Sequence, residues 1–138
     1  MGTLTSTLNL SSTDITSDTL SIALTNVLNV KATRLFRRQV LSAEDELFTD
    51  GGIVLAAADY TKSYVFFHNT SSTGTELINL GLADNDGSGD EALETTNIIL
   101  GAGQFAFYPW SSTTDIVADA TTGSPILEVG VFEEFIPE

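Results

Sequence analysis

Apolar residues recur at every second position along much of this chain. Leu4, Ser6, Leu8 and Leu10 alternate with Thr and Asn, and Leu20, Ile22 and Leu24 repeat the pattern before Asn26-Val27-Leu28-Asn29-Val30 extends it. A period of two marks a strand, because successive side chains on a pleated backbone point to opposite faces. Tyr64-Val65-Phe66-Phe67 is apolar at each position, which predicts a central strand covered on both sides. Glu76-Leu77-Ile78-Asn79-Leu80 follows a polar turn, while Asn97-Ile98-Ile99-Leu100 and Gln104-Phe105-Ala106-Phe107-Tyr108 flank the tight turn Gly101-Ala102-Gly103. Strands at residues 115–120 and 126–132 complete the series.

Helical signal is scarce. Ser42-Ala43-Glu44-Asp45-Glu46-Leu47-Phe48 offers a capping serine and an acidic first turn, and Ala56-Ala57-Ala58-Asp59 offers a second short turn. The pattern therefore predicts an all-β, single-domain β-sandwich or jelly roll with at most one or two short helical turns. Residues 1–14 carry few large side chains. They read as an extended arm that pairs with a neighbouring subunit, or as an edge strand or loose terminus of the same domain, with residues 15–138 forming the domain itself.

Composition narrows what such a fold does. A formal charge of −14, from 19 acidic against 5 basic residues, repels phosphate backbones and anionic lipid, so neither nucleic acid nor membrane is an expected partner. The chain has no cysteine, which removes disulfides and thiolate metal sites. Its first residues lack the basic and apolar regions of a signal peptide, and no apolar stretch approaches a membrane span, so a soluble protein is expected.

Catalytic chemistry finds little foothold. His68 is the single histidine, and drawing it together with Ser71 and Asp59 is supported by no nucleophile-elbow motif. Glu133-Glu134 and Asp90-Glu91 are adjacent pairs, which a strand would point to opposite faces. No enzyme activity and no obligatory cofactor are expected.

Three features invite binding instead. Asp84, Asp86, Ser88 and Asp90, with Gly89 between the last two, resemble the first half of a calcium loop; the closing bidentate glutamate is missing, because Thr95 holds its place. Calcium at a solvated acidic hairpin tip is thus a weak candidate. Four of the five basic residues fall within Lys31, Arg34, Leu35, Phe36, Arg37 and Arg38, a candidate docking patch for an acidic protein surface. The alternative is that these cations neutralise carboxylates of their own fold. Trp110, after Phe105, Phe107, Tyr108 and Pro109, is a candidate for stacking on a glycan or, more simply, a lid on one end of a sandwich whose core includes Phe105 and Phe107.

The segments Tyr64-Val65-Phe66-Phe67-His68-Asn69-Thr70-Ser71, residues 98–110, residues 116–120 and residues 126–133 together resemble small virion proteins of tailed bacteriophages. The likeness covers about half the chain and is one of pattern. It implies a non-enzymatic structural protein, foremost a capsid decoration or cement protein that binds and stabilises the assembled head. The alternative it implies is a tail, baseplate or fibre component that contacts a host surface or glycan. Expected partners are other virion proteins, chiefly the major capsid protein, and further copies of the chain, with a trimer a reasonable form. The expected location is the virion, assembled in the host cytoplasm.

Overall fold

The computed structural model describes residues 1–14, 18–40, 53–83 and 93–137. Among the described residues nine strands run in order: β1 (Gly2–Ser12), β2 (Leu20–Gln39), β3 (Ile53–Leu55), β4 (Ser63–Asn69), β5 (Ile78–Ala83), β6 (Leu93–Leu100), β7 (Phe105–Trp110), β8 (Ile116–Ala120) and β9 (Ile126–Glu134). The described helical structure is one 3-10 turn at Ala57–Asp59, where the alanine run predicted it. The fold is all-β, as the alternation predicted. The other candidate helical turn, residues 42–48, lies outside the described residues.

The strands form two antiparallel sheets, ordered β1-β2-β9-β4-β7 and β3-β8-β5-β6. Their pairing is nested: β2 with β9, β3 with β8, β4 with β7 and β5 with β6. This is the pattern of one long two-stranded ribbon folded back over itself, with β4–β9 and β5–β8 joining its turns into sheets. The core lies between the two layers. Val65 and Phe67 of β4 and Leu127, Val129 and Val131 of β9 meet Ile78 and Leu80 of β5, Ile116 of β8 and Leu100 of β6.

Two polar residues are buried with them. The Asn69 amide donates to the Glu76 and Leu100 carbonyls at 2.8 and 3.0 Å, and its Oδ1 accepts from the Ser71 amide at 3.1 Å. Asn69 also receives the backbone amide of Gly103 on its carbonyl, tying the β6–β7 turn to the end of β4. That turn needs Gly103, whose φ of 74° suits glycine. The Ser63 hydroxyl donates to the Thr61 carbonyl at 2.6 Å.

Two expectations need correcting. Tyr64-Val65-Phe66-Phe67 is central in its sheet but is covered on one side: Val65 and Phe67 are fully buried, whereas Tyr64 and Phe66 are only partly so. On β7, Ala106, Tyr108 and Trp110 point inward, and Phe105 and Phe107 are exposed rather than core. The reason is parity. With Trp110 inside, residues two apart share its face and the phenylalanines must take the other.

The sequence pattern also ended β2 too soon. The strand runs 20 residues, through the basic segment. Its first half pairs with β1 in register from Ser12↔Leu20 to Gly2↔Val30. Its second half pairs with β9 from Val30↔Glu134 to Gln39↔Ile126. Val30 has partners on both edges, so β1 and β9 flank β2 on opposite sides and overlap only near that residue. Beyond it, β1 and the Leu20–Leu28 part of β2 continue as a two-stranded ribbon.

Candidate functional site: an aromatic sheet face with an ion-paired rim

Register fixes which side chains share the outer face of the five-stranded sheet. Three rows cross β2, β9, β4 and β7: Thr33–Phe132–Tyr64–Pro109, Leu35–Gly130–Phe66–Phe107 and Arg37–Glu128–His68–Phe105. Aromatic residues dominate. Tyr64 stacks on Phe107 with ring centres 5.7 Å apart, Phe107 meets the edge of Phe132 at 6.4 Å, and Phe66 reaches Phe105 at 6.4 Å. These spacings fall in the range of favourable ring contacts. Gly130 sits beneath them, where a Cβ would lie 3.1–3.3 Å from the side chains of Leu35, Phe132 and Phe66. Glycine thus lets its neighbours fold over the strand and close the floor.

This floor remains open to solvent: Phe105 is 68 % exposed and Leu35 is 70 % exposed. Charged groups border it in pairs. Arg37 meets Glu128 at 3.1 Å, His68 Nδ1 lies 3.6 Å from the same carboxyl group, and Lys62 meets Glu134 at 2.8 Å. The Glu134 hydrogen bond and charge hold the Lys62 ammonium above its ordinary value. An apolar centre with a polar, solvated border is the anatomy of protein–protein interfaces. Four strands about 4.8 Å apart and three rows about 6.8 Å apart give a footprint of roughly 400 Å².

The basic residues of the candidate patch all lie on β2, but its alternation divides them. Leu35 and Arg37 stand on the outer face, while Arg34, Phe36 and Arg38 share the inner side. Phe36 packs against the core, Arg38 donates to the Ile53 carbonyl, and Arg34 lies 5.3 Å over the Tyr60 ring. Lys31 lies 3.8 Å from Glu133. Partial burial pushes the Glu133 carboxyl up, but the Thr61 amide and hydroxyl, with Lys31 and Arg34, outweigh it and hold the group below its ordinary value.

Trp110 is 5 % exposed, tilted against Tyr60, and donates from Nε1 to the Thr114 carbonyl at 3.2 Å. An indole so covered presents no open face to a sugar ring. Beside it on β7, burial pushes the Tyr108 phenol up to about 12. Asp84, Asp86, Ser88 and Asp90 lie outside the described residues. His68 faces Glu128 on the outer side, while the Ser71 hydroxyl donates to the Glu76 carboxylate.

The aromatic floor was missed in the sequence because its members were assigned to the core. Its signal was there in the parity of β7 and in the doubly apolar β4. No protein-family model matches the chain, and neither a curated protein nor a solved structure matches it.

Proposed function

We infer that this chain is a non-enzymatic structural protein that docks on other protein surfaces, specifically a capsid decoration or cement protein of a tailed bacteriophage. The observation that carries the docking reading is the outward-facing aromatic floor, with Phe105 and Phe107 exposed and Tyr64, Phe66 and Phe132 partly so, together with its ion-paired border. The nested strand order supports it: we read it as a jelly roll, an architecture found among viral capsid domains. The resemblance of residues 64–71, 98–110, 116–120 and 126–133 to small virion proteins points to a virion partner, for which we take the head first, because fold alone does not assign function.

Magnitude shapes the mechanism. A floor of roughly 400 Å² is about half of what each side of a stable interface contributes. One copy grips weakly. A shell offers the same site many times, and linked copies convert later contacts into intramolecular ones, so weak grips add. In this reading the floor meets the major capsid protein, and the body's negative charge faces solvent.

Electron microscopy of intact particles of the phage encoding the chain provides the test. Density for the chain on the head lattice, with the β2-β9-β4-β7 face against the shell, is the expected result. Density confined to the tail would replace this reading with a tail, baseplate or fibre role, and its absence from the particle would end the virion assignment.

A further inference from the structure

The ribbon of β1 and the first half of β2 has two unlike faces. Cross-strand partners share a face, so Leu4/Leu28, Leu8/Leu24 and Leu10/Ile22 form a mainly aliphatic ladder, interrupted by the polar rung Ser6/Asn26, with Leu20 and Val30 at its ends. The opposite face carries Thr3/Asn29, Thr5/Val27, Thr7/Thr25, Asn9/Ala23 and Ser11/Ser21, polar apart from Ala23 and the exposed Val27. At about 3.4 Å per residue the ladder runs roughly 36 Å. Its distal part stands in water: Leu24 is 63 %, Leu8 47 % and Leu10 46 % exposed. A solitary two-stranded ribbon is marginal in water, and a one-sided apolar sheet needs a second layer.

Its edges are open as well. Among the described residues β1 pairs only with β2, and the Leu20–Leu28 part of β2 pairs only with β1. Each edge is a row of amides and carbonyls prepared to accept another strand.

Charge selects the occupant. Neither Gly2–Ser12 nor Leu20–Val30 contains an ionisable side chain, in a molecule of net charge −14. The nearest ionisable side chains, Asp14, Asp18 and Lys31, lie beyond its two ends, so its length offers no charged border to a partner of unrelated chemistry. Two copies of the body repel, so the ribbon is the long surface on which copies meet without setting like charges against each other.

We propose that the ribbons of three copies associate edge to edge into a closed six-stranded antiparallel barrel, aliphatic ladders inward and the Thr/Ser/Asn faces outward. β1 of one copy lies beside the distal half of β2 of the next, and this head-to-tail contact repeats until the ring closes. Two copies would leave free edges or an uncovered ladder. Three is the smallest number that covers every ladder and leaves no edge, since closure alone abolishes edges.

The register at the base of the ribbon determines how the bodies are presented. The extra residue Lys31 interrupts the ladder between Val30↔Glu134 and Ala32↔Glu133. It shifts parity, so the even-numbered ribbon positions share a side with Thr33, Leu35 and the aromatic floor. A cleft lined by Gly2, Leu4, Val30, Thr33 and Phe132 marks the junction. Three floors are thereby held in one fixed relation to the barrel axis. This assembly stands independently of whether a phage head is the docking partner.

The test is the mass of the full chain in solution by sedimentation equilibrium. Three chains of 14.7 kDa, about 44 kDa, are expected, and the trimer persists in 1 M salt because apolar contacts and backbone bonds hold it. Leu8→Glu with Leu24→Glu, facing residues on the ladder, should return the mass to one chain. Thr7→Glu with Thr25→Glu, facing residues on the polar side, should leave the trimer intact. The absence of native cysteine permits a second measurement that needs no disruptive charge: in the assembled chain Leu8→Cys, on the enclosed face, should react slowly with a maleimide, and Thr7→Cys, on the outer face, rapidly. A monomeric wild type, a trimer that survives the ladder charges, or equal maleimide reactivity at both positions would overturn the proposal.

Discussion

The ribbon and the body are written in the same alternating code, yet they reach opposite ends of burial. In the body, the inward residues of β4 and β9, including Val65, Phe67, Leu127 and Val129, are fully buried against the second sheet. In the ribbon, Leu24 and Leu8 hold equivalent positions on a sheet face and remain about half exposed or more. The difference lies in what the chain supplies opposite each face. β5, β6 and β8 supply a layer for the body. No described strand lies over the ribbon. A period of two therefore states that a strand has an apolar side; it does not state which molecule covers that side.

Substitutions should separate the two regions sharply. The largest effect is expected at Phe67, whose truncation to alanine in the body core should cost about 3–5 kcal/mol. Urea unfolding followed by the fluorescence of Trp110, the single tryptophan and a buried one, reads the body directly. Leu24→Ala should leave that body midpoint in place and lower only the part of stability that varies with protein concentration.

Asn69→Ala comes next, at about 2–4 kcal/mol, because it strands the Glu76 and Leu100 carbonyls and the Ser71 amide near the buried end of β4. A smaller loss would mean that water replaces the amide.

Phe105→Ala should change unfolding by less than about 1 kcal/mol, since the ring is largely in water already. Its effect should fall on binding to heads, measured by co-sedimentation. Unchanged binding would move the docking site away from the floor.

The smallest expected effect is at Glu133. Its folded carboxyl value lies below the ordinary 4.5, so its contribution is complete above that pH and is lost as the pH falls through the lower folded value. Glu133→Gln should therefore flatten part of the loss of stability below pH 4.5, seen as converging urea midpoints of the two proteins in acid. Parallel acid limbs would remove Thr61 and Lys31 as its stabilising partners.

Much of the architecture was legible from the pattern: strands at Leu20, Tyr64, Ile98, Phe105, Ile116 and Ile126, the Gly101–Gly103 turn and the Ala57 turn all fall where alternation and glycine placed them. Two things were hidden. Lys31–Arg38 looked like a charge cluster, so the strand running through it was not seen; arginines alternating with Leu35 and Phe36 satisfy a strand when the inner ones find Tyr60 and the Ile53 carbonyl. The aromatic floor is hidden when Phe105 and Phe107 are read as core and Tyr64 and Phe66 as covered on both sides. Trp110 and Phe107 are three apart on one strand, so they cannot both be core. Both strands of the ribbon were visible, β1 as an arm, but their pairing was not, because register is a property of the folded hairpin.

Hydrogen exchange on the assembled chain and on the Leu8→Glu/Leu24→Glu variant tests the distinction between body and ribbon most directly. The account predicts that amides of residues 4–10 and 20–28 are protected in the wild type and exchange rapidly in the variant, with β4, β5, β8 and β9 equally protected in both. Ribbon amides as slow as those of β4 in a chain shown to be monomeric would contradict it.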